Sequence, residues 1–204
     1  HWATNSWEGL EKKRGKLIAR ATKRGCMAVW RTYTPPFPHE KPEPNRTSIG
    51  LIVGLNGLQA EFGENPKTIS DLPESEAALA ARYAMDELNG FPDWIEALTI
   101  AHPIAVKQAL CECIRAEWQF TADHKDTHQV MAKLSWRGGN LNQLVHGEIR
   151  SLMASGGPNN HSILRAALAI LTSEPAHSFT WLAQIASQRV LATSDFALNT
   201  LWLS

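Results

Sequence analysis

The stretch from residue 79 to residue 118 constrains the fold of this 204-residue chain more than any other. Its hydrophobic spacing predicts three short helices that follow one another with almost no loop. The first ends near Gly90, where a left-handed residue costs little, and the second begins at Pro92. The second ends at His102-Pro103, and the third has apolar residues at four-residue spacing. Helices this short bury an apolar stripe only against one another, so the sequence predicts an all-α array.

The rest of the chain repeats this pattern. Capping residues and apolar stripes divide it into about nine helices, and no segment is typical of a strand. From Asp126 onward the predicted helices recur so that pairs repeat about every 35 to 40 residues, which is typical of an irregular α-solenoid of HEAT-like helical hairpins. A single array over residues 1–204 is expected, and a sub-division into residues 1–120 and 121–204 is the alternative.

Residues 33–47 interrupt the helices with five prolines. Proline lacks a backbone donor, so this proline-rich connector cannot be a helix or an inner strand. We expect a structured crossover that lies on the helical array, with Tyr33 and Phe37 as its apolar anchors. The alternatives are a stiff extended connection and a polyproline-type ligand for a partner. Tyr33 and Phe37 are therefore also candidate partner-binding residues.

Gly50, Gly54 and Gly57 lie at spacings of four and three, which places them on one face of the next predicted helix. Glycine is unfavourable inside a helix, so three on one face predict close approach of a neighbouring helix or of the proline-rich connector. A phosphate-binding loop is not indicated, because no strand precedes these glycines and no lysine follows them.

The charge of the chain is zero overall but uneven. Residues 1–31 carry +6 and the remainder carries −6. We predict one helix from about Trp7 to about Arg31, with an apolar face that includes Leu17 and Ile18. Its basic residues predict either a solvated face, a surface for a protein partner, or contacts to nucleic-acid phosphates. The candidate binding residues in this helix are Lys13, Lys16, Arg20, Lys23 and Arg24.

Two groups of residues were considered for catalysis. His124, Asp126 and His128, with Asp123, resemble part of a metal site and suggest a small helical metalloenzyme as a further alternative. Helix capping explains the same residues, and no second cluster is available to complete the site. We predict no metal, no cofactor and no catalytic residue.

Paired carboxylates are the second group. Asp86, Glu87, Asp93 and Glu96 flank the turn at Gly90, and such pairs can perform acid–base chemistry. Asp93 and Glu96 also suit the positive end of a helix, and we expect Asp86 and Glu87 on an exposed face. The sequence therefore does not predict an enzyme.

Cysteine and tryptophan usage completes the prediction. Three cysteines without a secretory signal indicate a cytoplasmic protein, and no apolar run is long enough to span a membrane. Cys111 and Cys113 are expected to be buried structural thiols. Four of the eight tryptophans are expected in the core or as wedges between helices, namely Trp94, Trp118, Trp136 and Trp181. The other four lie towards the ends of the chain, where a partner or another part of a longer protein could cover them; these are Trp2, Trp7, Trp30 and Trp202.

Three segments between Trp30 and Trp94 carry a resemblance: WRTYTPPFP, NRTSIGLIVGLNGL and ARYAMDELNGFPDW. They resemble a helical region of very large bacterial proteins that also contain a STAND-type NTPase. The resemblance covers about a third of the chain and implies a sensor or scaffold role, in some cases in defence against phage. It implies no site residues, and the NTPase motif GxxxxGK[ST] is absent from this sequence. Together with the two ends of the chain, it predicts a non-catalytic module within a larger bacterial protein, binding a protein partner or other domains of the same chain.

Overall fold

The computed structural model is all-helical over the part of the chain that it describes, residues 6–41, 43, 46–119, 129–156, 158, 160–173 and 179–192. The predicted all-α array is confirmed, whereas the solenoid-like repeat stays a prediction. The helices are Ser6–Arg14 (α1), Lys16–Val29 (α2), Ile49–Glu64 (α3), Glu74–Met85 (α4), Ile95–Ala101 (α5), Pro103–Gln119 (α6), Gln129–Arg137 (α7), Leu141–Gly156 (α8), His161–Thr172 (α9) and Phe179–Ala192 (α10). Pro38–Glu40 and Pro66–Ile69 form single 3₁₀ turns.

The chain divides into two compact units, residues 1–109 (unit 1) and 110–204 (unit 2). Within the described residues, no helix of either unit is both long and apolar enough to cross a lipid bilayer.

The basic N-terminal segment forms two helices, so the prediction of one helix from Trp7 to Arg31 was wrong. The break is at Gly15, whose φ of 87° lies in the left-handed region that glycine enters without a side-chain penalty. The Gly15 amide still donates to the carbonyl of Glu11 at 2.8 Å, and its carbonyl accepts from the amide of Ala19 at 3.1 Å. The backbone hydrogen bonds therefore continue across the break. The sequence did not predict it, because the apolar pattern runs through Gly15 and a single glycine is tolerated inside a helix.

Unit 1 is built around α3, which packs against α2 on one side and α4 on another. Phe62 of α3 lies between two tryptophans, with ring centroids 6.4 Å from Trp30 and 5.4 Å from Trp94, both edge to face. Such aromatic pairs add to the hydrophobic stabilisation of the core. Trp94 is buried, as predicted, but Trp30 is fully buried as well. Trp30 is therefore a core residue of unit 1 and not a residue left for a partner.

The three glycines of α3 make the close approaches that their spacing predicts. A side chain at Gly50 would overlap the ring of Tyr33, and one at Gly54 would overlap the ring of Tyr83. At Gly57 the overlap would be with the backbone of Cys26 in α2. The prediction is confirmed for both a neighbouring helix and the proline-rich connector.

Unit 2 has a core of aliphatic and methionine side chains from α7, α8 and α9, and α7 and α8 both pack against α9. Cys111 and Cys113, at the start of this unit, are buried as predicted. Trp136 is 62% exposed, with Arg137 stacked over its ring at 4.6 Å, so the prediction that it is a core residue was wrong. Trp2 and Trp202, which were expected near the ends of the chain, lie outside the described residues.

Candidate functional site

The predicted basic residues of α1 and α2 are exposed, with one exception. Lys13, Lys16, Arg20 and Arg24 are exposed, and no carboxylate in the described part of the chain pairs with any of them. Lys23 instead forms an ion pair with Glu64 of α3, with 2.6 Å between Nζ and Oε1. Four of the five predicted cations therefore keep their charge available at the surface of unit 1.

Two large aliphatic side chains lie among these cations. Leu17 is 83% exposed and Ile18 is 53% exposed, so the prediction that both belong to a buried apolar face was wrong. The reason is that α2 approaches α3 at Cys26, whose backbone lies against Gly57, and Ala19, which is 5% exposed, lies on the same side of α2 as Cys26. At about 100° per residue, Leu17 lies roughly opposite Ala19 on the helix.

We call the solvent-facing half of α2 the basic–aliphatic face and define it by Lys16, Leu17, Ile18, Arg20 and Arg24. At about 100° per residue, Lys16, Arg20 and Arg24 follow one another along one side of Leu17, and Ile18 lies on its other side. Ala21 and Ala28, both exposed, lie on the same half of the helix. The face combines unpaired positive charge with an apolar strip that no part of the described chain covers.

An open groove adjoins the C-terminal part of this face. Its volume is about 410 Å³, and it lies between Arg24 and Ala28 of α2 and the residues Glu61, Glu64 and Asn65 at the end of α3. The groove shares Arg24 with the basic–aliphatic face, so the two adjoin along α2.

Beside the groove, a hydrogen-bonded network fixes the end of α2. Arg31 donates from Nη1 and Nη2 to both carboxylate oxygens of Glu61 at 2.7 and 2.6 Å, and from Nε to Glu76 of α4 at 2.9 Å. The Nε1–H of the buried Trp30 donates to Glu61 at 2.8 Å. Burial alone would raise the pKa of Glu61, but the hydrogen bonds from Arg31 and Trp30 outweigh it and lower the pKa. The network joins the end of α2 to Glu61 of α3 and Glu76 of α4.

The two aromatic residues predicted to bind a partner, Tyr33 and Phe37, contact unit 1 itself. Phe37 is 4% exposed, with the guanidinium of Arg82 at 3.8 Å from its ring centroid. Arg82 also donates to the carbonyl of Pro35 and to Glu40. The hydroxyl of Tyr33 hydrogen-bonds Ser48 at 2.8 Å, and its carbonyl accepts from the hydroxyl of Tyr83 at 2.8 Å. The described part of the proline-rich connector is thus a crossover held on α3 and α4, and Phe37 offers no exposed ring to a partner.

Asp86 is not on an exposed face, which corrects the prediction made for it. It is 1% exposed and forms a buried ion pair with Lys41 of the connector, with 2.6 Å between Lys41 Nζ and Asp86 Oδ1. Its second oxygen, Oδ2, is buried without a hydrogen-bond partner. Sequence reasoning missed the pair because the two residues are 45 positions apart, and the turn after α4 gives no sign of burial.

Unit 2 holds one buried carboxylate that sequence reasoning also missed. Glu117 of α6 is 3% exposed and accepts hydrogen bonds from the amides of Val130 and Met131 at 2.8 and 2.9 Å. These amides belong to the first turn of α7, so Glu117 caps that helix from outside. Burial raises the pKa of Glu117 to about 7, while the two amides and the charge of Lys133 act in the opposite direction.

Among the described residues, Asp86, Glu87, Asp93 and Glu96 belong to no group of three or more side chains close enough to share a metal ion. His124, Asp126, His128 and Asp123, the basis of the metalloenzyme alternative, lie outside the described residues. Asp93 is exposed, Glu87 is half-buried, and Asp86 is engaged with Lys41. Comparison with protein-family models, with characterised proteins and with solved structures finds no match to this chain.

Proposed function

We propose that this chain is a non-catalytic helical interaction module and that the basic–aliphatic face of α2 binds an acidic amphipathic helix of a protein partner or of another domain of its own chain. The observation that carries the proposal is the position of Leu17 and Ile18, largely exposed between cations that have no carboxylate partner. The setting would be a sensor or scaffold segment of a larger, cytoplasmic bacterial protein of the kind the sequence resembles.

The apolar strip favours a protein occupant over nucleic acid. Burying Leu17 and Ile18 against an apolar surface contributes about 1.5 to 3 kcal/mol for each side chain that becomes fully covered. A phosphate backbone offers these side chains no apolar surface, and its binding energy comes from cation contacts alone. An occupant with leucines on one face and carboxylates beside them satisfies both the aliphatic strip and the row formed by Lys16, Arg20 and Arg24.

The test uses the full chain and a synthetic helical peptide with leucines along one face and glutamates flanking them. A peptide of the same composition in scrambled order is the reference for charge attraction alone. We expect fluorescence anisotropy to show saturable binding of the first peptide and much weaker binding of the second. Leu17→Ser with Ile18→Ser, and separately Lys16→Glu with Arg20→Glu, should each weaken binding about tenfold or more.

Two matched variants serve as controls. Ile100→Ser removes an aliphatic side chain on α5 that is 79% exposed, and Lys67→Glu reverses an exposed charge outside α1 and α2. Both should bind the peptide as the unmodified chain does. Binding that ignores Leu17 and Ile18 contradicts the proposal. Tight binding of a DNA or RNA oligonucleotide that falls steeply with salt and survives Leu17→Ser would establish the nucleic-acid alternative instead.

A further inference from the structure

Asp86, whose Oδ2 has no hydrogen-bond partner, is one of the residues that line a small cavity of unit 1. The cavity has a volume of about 160 Å³ and is lined by Asp86 and Glu87 with Leu88, by Thr47, and by one side of α3. The α3 residues are Leu51, Ile52, Leu55 and Asn56, so most of the wall is aliphatic. A comparable apolar cavity of about 150 Å³ in another protein holds one benzene-sized molecule.

The carboxylate of Asp86 gives this cavity one strong acceptor. Lys41 donates to Oδ1, and Oδ2 is buried and accepts no hydrogen bond. A buried acceptor without a partner is unfavourable, so a ligand that supplies a donor forms a hydrogen bond that the chain alone does not make. Asn56 does not fill this role, because its side-chain amide donates to the carbonyl of Ile52 at 2.8 Å.

We propose that this cavity binds a small neutral molecule with one O–H or N–H donor on an aromatic or aliphatic body, and that the donor bonds Oδ2 of Asp86. The body fills the space between Leu51, Ile52 and Leu55. A neutral ligand fits better than a cation at this oxygen, because Lys41 already balances the charge of Asp86, and Glu87, the other carboxylate of the lining, is half-buried and keeps contact with water.

Access to Oδ2 requires a local movement. Oδ2 exposes less than 1 Å² of surface in the chain without ligand. Leu88 lines the cavity but is 56% exposed, so its side chain can rotate outward without leaving a core. Leu88 is therefore the residue that we expect to move when the ligand enters.

The experiment titrates the full chain with phenol and, in parallel, with toluene. The two rings are alike, and only phenol carries a donor. Two-dimensional NMR should show saturable shifts of the Leu88 methyl and Thr47 amide signals, with phenol binding about tenfold or more tightly than toluene. Benzylammonium, which has a donor and a positive charge, should bind more weakly than phenol.

Two variants locate the effect. Lys41→Met with Asp86→Leu replaces the buried ion pair by apolar side chains, a change that leaves no unpaired charge and that folded proteins often tolerate. In this variant the preference for phenol over toluene should fall to about one. Leu55→Trp fills the cavity without touching the ion pair and should abolish binding of both rings. Asp71→Asn, at an exposed aspartate, is the control and should change neither affinity.

Each result of the titrations either supports the proposal or overturns it. Saturable phenol binding that loses its preference in the double variant and disappears in Leu55→Trp supports the proposal. It is overturned if phenol produces no saturable shift up to its solubility, in which case the cavity holds water only. It is also overturned if toluene or benzylammonium binds as tightly as phenol, because the Asp86 acceptor or the neutrality of the ligand would then be irrelevant.

Discussion

At the scale of single residues, the glycines of α3 divide into positions where the helix is packed and positions where it is open. A Cβ at Gly57 would meet the backbone of Cys26, whereas a Cβ at Gly63, in the same helix, meets nothing within 4 Å. Backbone cannot rotate out of the way as the end of a side chain can. The two glycines therefore respond in opposite directions to the same substitution.

Gly57→Ala should lower the free energy of unfolding by about 1 to 3 kcal/mol, because the added methyl group forces α2 away from α3. Gly63→Ala, the matched control, should raise it by up to about 1 kcal/mol through helix propensity. Urea denaturation followed by circular dichroism measures both. Equal effects of the two substitutions would contradict the close packing of α2 on α3.

Glu61 provides a second prediction at this scale. Glu61→Gln removes the charge that accepts from Arg31 and Trp30 and should cost about 1 to 3 kcal/mol at pH 7. Glu64→Gln affects a more exposed pair with Lys23 and should cost less than about 1 kcal/mol. Because the folded-state pKa of Glu61 is lowered, its contribution is present above the ordinary pKa of 4.5 and is lost as pH falls through the lower folded value. The difference between Glu61→Gln and the unmodified chain should therefore shrink in denaturation series taken towards pH 3.

Single residues were predicted well where a spacing rule applied and poorly where burial decided the role. The three glycines of α3 repeat at helical spacing, which indicates that another segment packs closely on that face of the helix without identifying the segment. Asp86 follows the last turn of α4 in a polar turn, and its local sequence resembles that of an exposed residue. Asp86 is buried because the proline-rich connector places Lys41 beside it at the end of α4. The sequence around Asp86 does not indicate this long-range contact.

At the scale of helices, α7 depends on a carboxylate from another helix. Glu117 accepts from the amides of Val130 and Met131, which the sequence of α7 leaves without an internal partner. Its pKa is raised by burial, so between about 4.5 and about 7 the folded chain binds a proton that the unfolded chain has released. The contribution of this group to stability is therefore largest at low pH and is lost as pH rises towards 7.

Glu117→Gln should make the free energy of unfolding less dependent on pH between about 4.5 and about 7. The amide oxygen of glutamine can still accept from the α7 amides, but the side chain no longer titrates. Urea unfolding between pH 5 and pH 8, followed by far-ultraviolet circular dichroism, measures the slope. Glu112→Gln, at an exposed position of the same helix, is the control and should leave the slope unchanged. A profile that is just as steep in Glu117→Gln would contradict the assignment.

Helix positions were more predictable from sequence than the faces that the helices bury. Prolines and capping residues act on the backbone locally, and the predicted end of the second helix at His102 agrees with the end of α5 at Ala101. The boundary before it was wrong, because α4 ends at Met85 rather than near Gly90 and α5 begins at Ile95 rather than at Pro92. The break at Gly15 was missed, since an isolated glycine is also tolerated inside a helix. The prediction of the buried side of α2 was wrong because its aliphatic and small residues are compatible with burial of more than one side of the helix. The side that is buried is the one with Ala19, where α3 comes close at Gly57.

At the scale of the whole molecule, charge and exposed aliphatic side chains act together. The net charge is zero and the isoelectric point is about 7.3, so repulsion between molecules is smallest near neutral pH. We expect static light scattering at low salt to show most self-association near pH 7.3 and less at pH 9. We expect the basic–aliphatic face to mediate most of this self-association. Leu17→Ser with Ile18→Ser should therefore reduce it near pH 7.3 more than Ile100→Ser does. Association that is independent of both pH and these variants would contradict this expectation.

The all-α class was predictable at this scale because it depends on periodicity, which is repeated in every segment. The candidate surface was predictable only in its charges: the basic residues of α2 are evident in the sequence, but the exposure of Leu17 and Ile18 follows from packing between distant segments.

The contact between Gly54 and Tyr83 also has an evolutionary consequence. The buried ring of Tyr83 occupies the space that any other side chain at position 54 would need, and its hydroxyl holds the connector through the carbonyl of Tyr33. If Gly54 is replaced first, the intermediate sequence folds poorly, because the new side chain overlaps the ring of Tyr83. If Tyr83 is first replaced by a smaller residue, the intermediate sequence can still fold. Among descendants of this sequence, positions 54 and 83 should therefore change together and in that historical order.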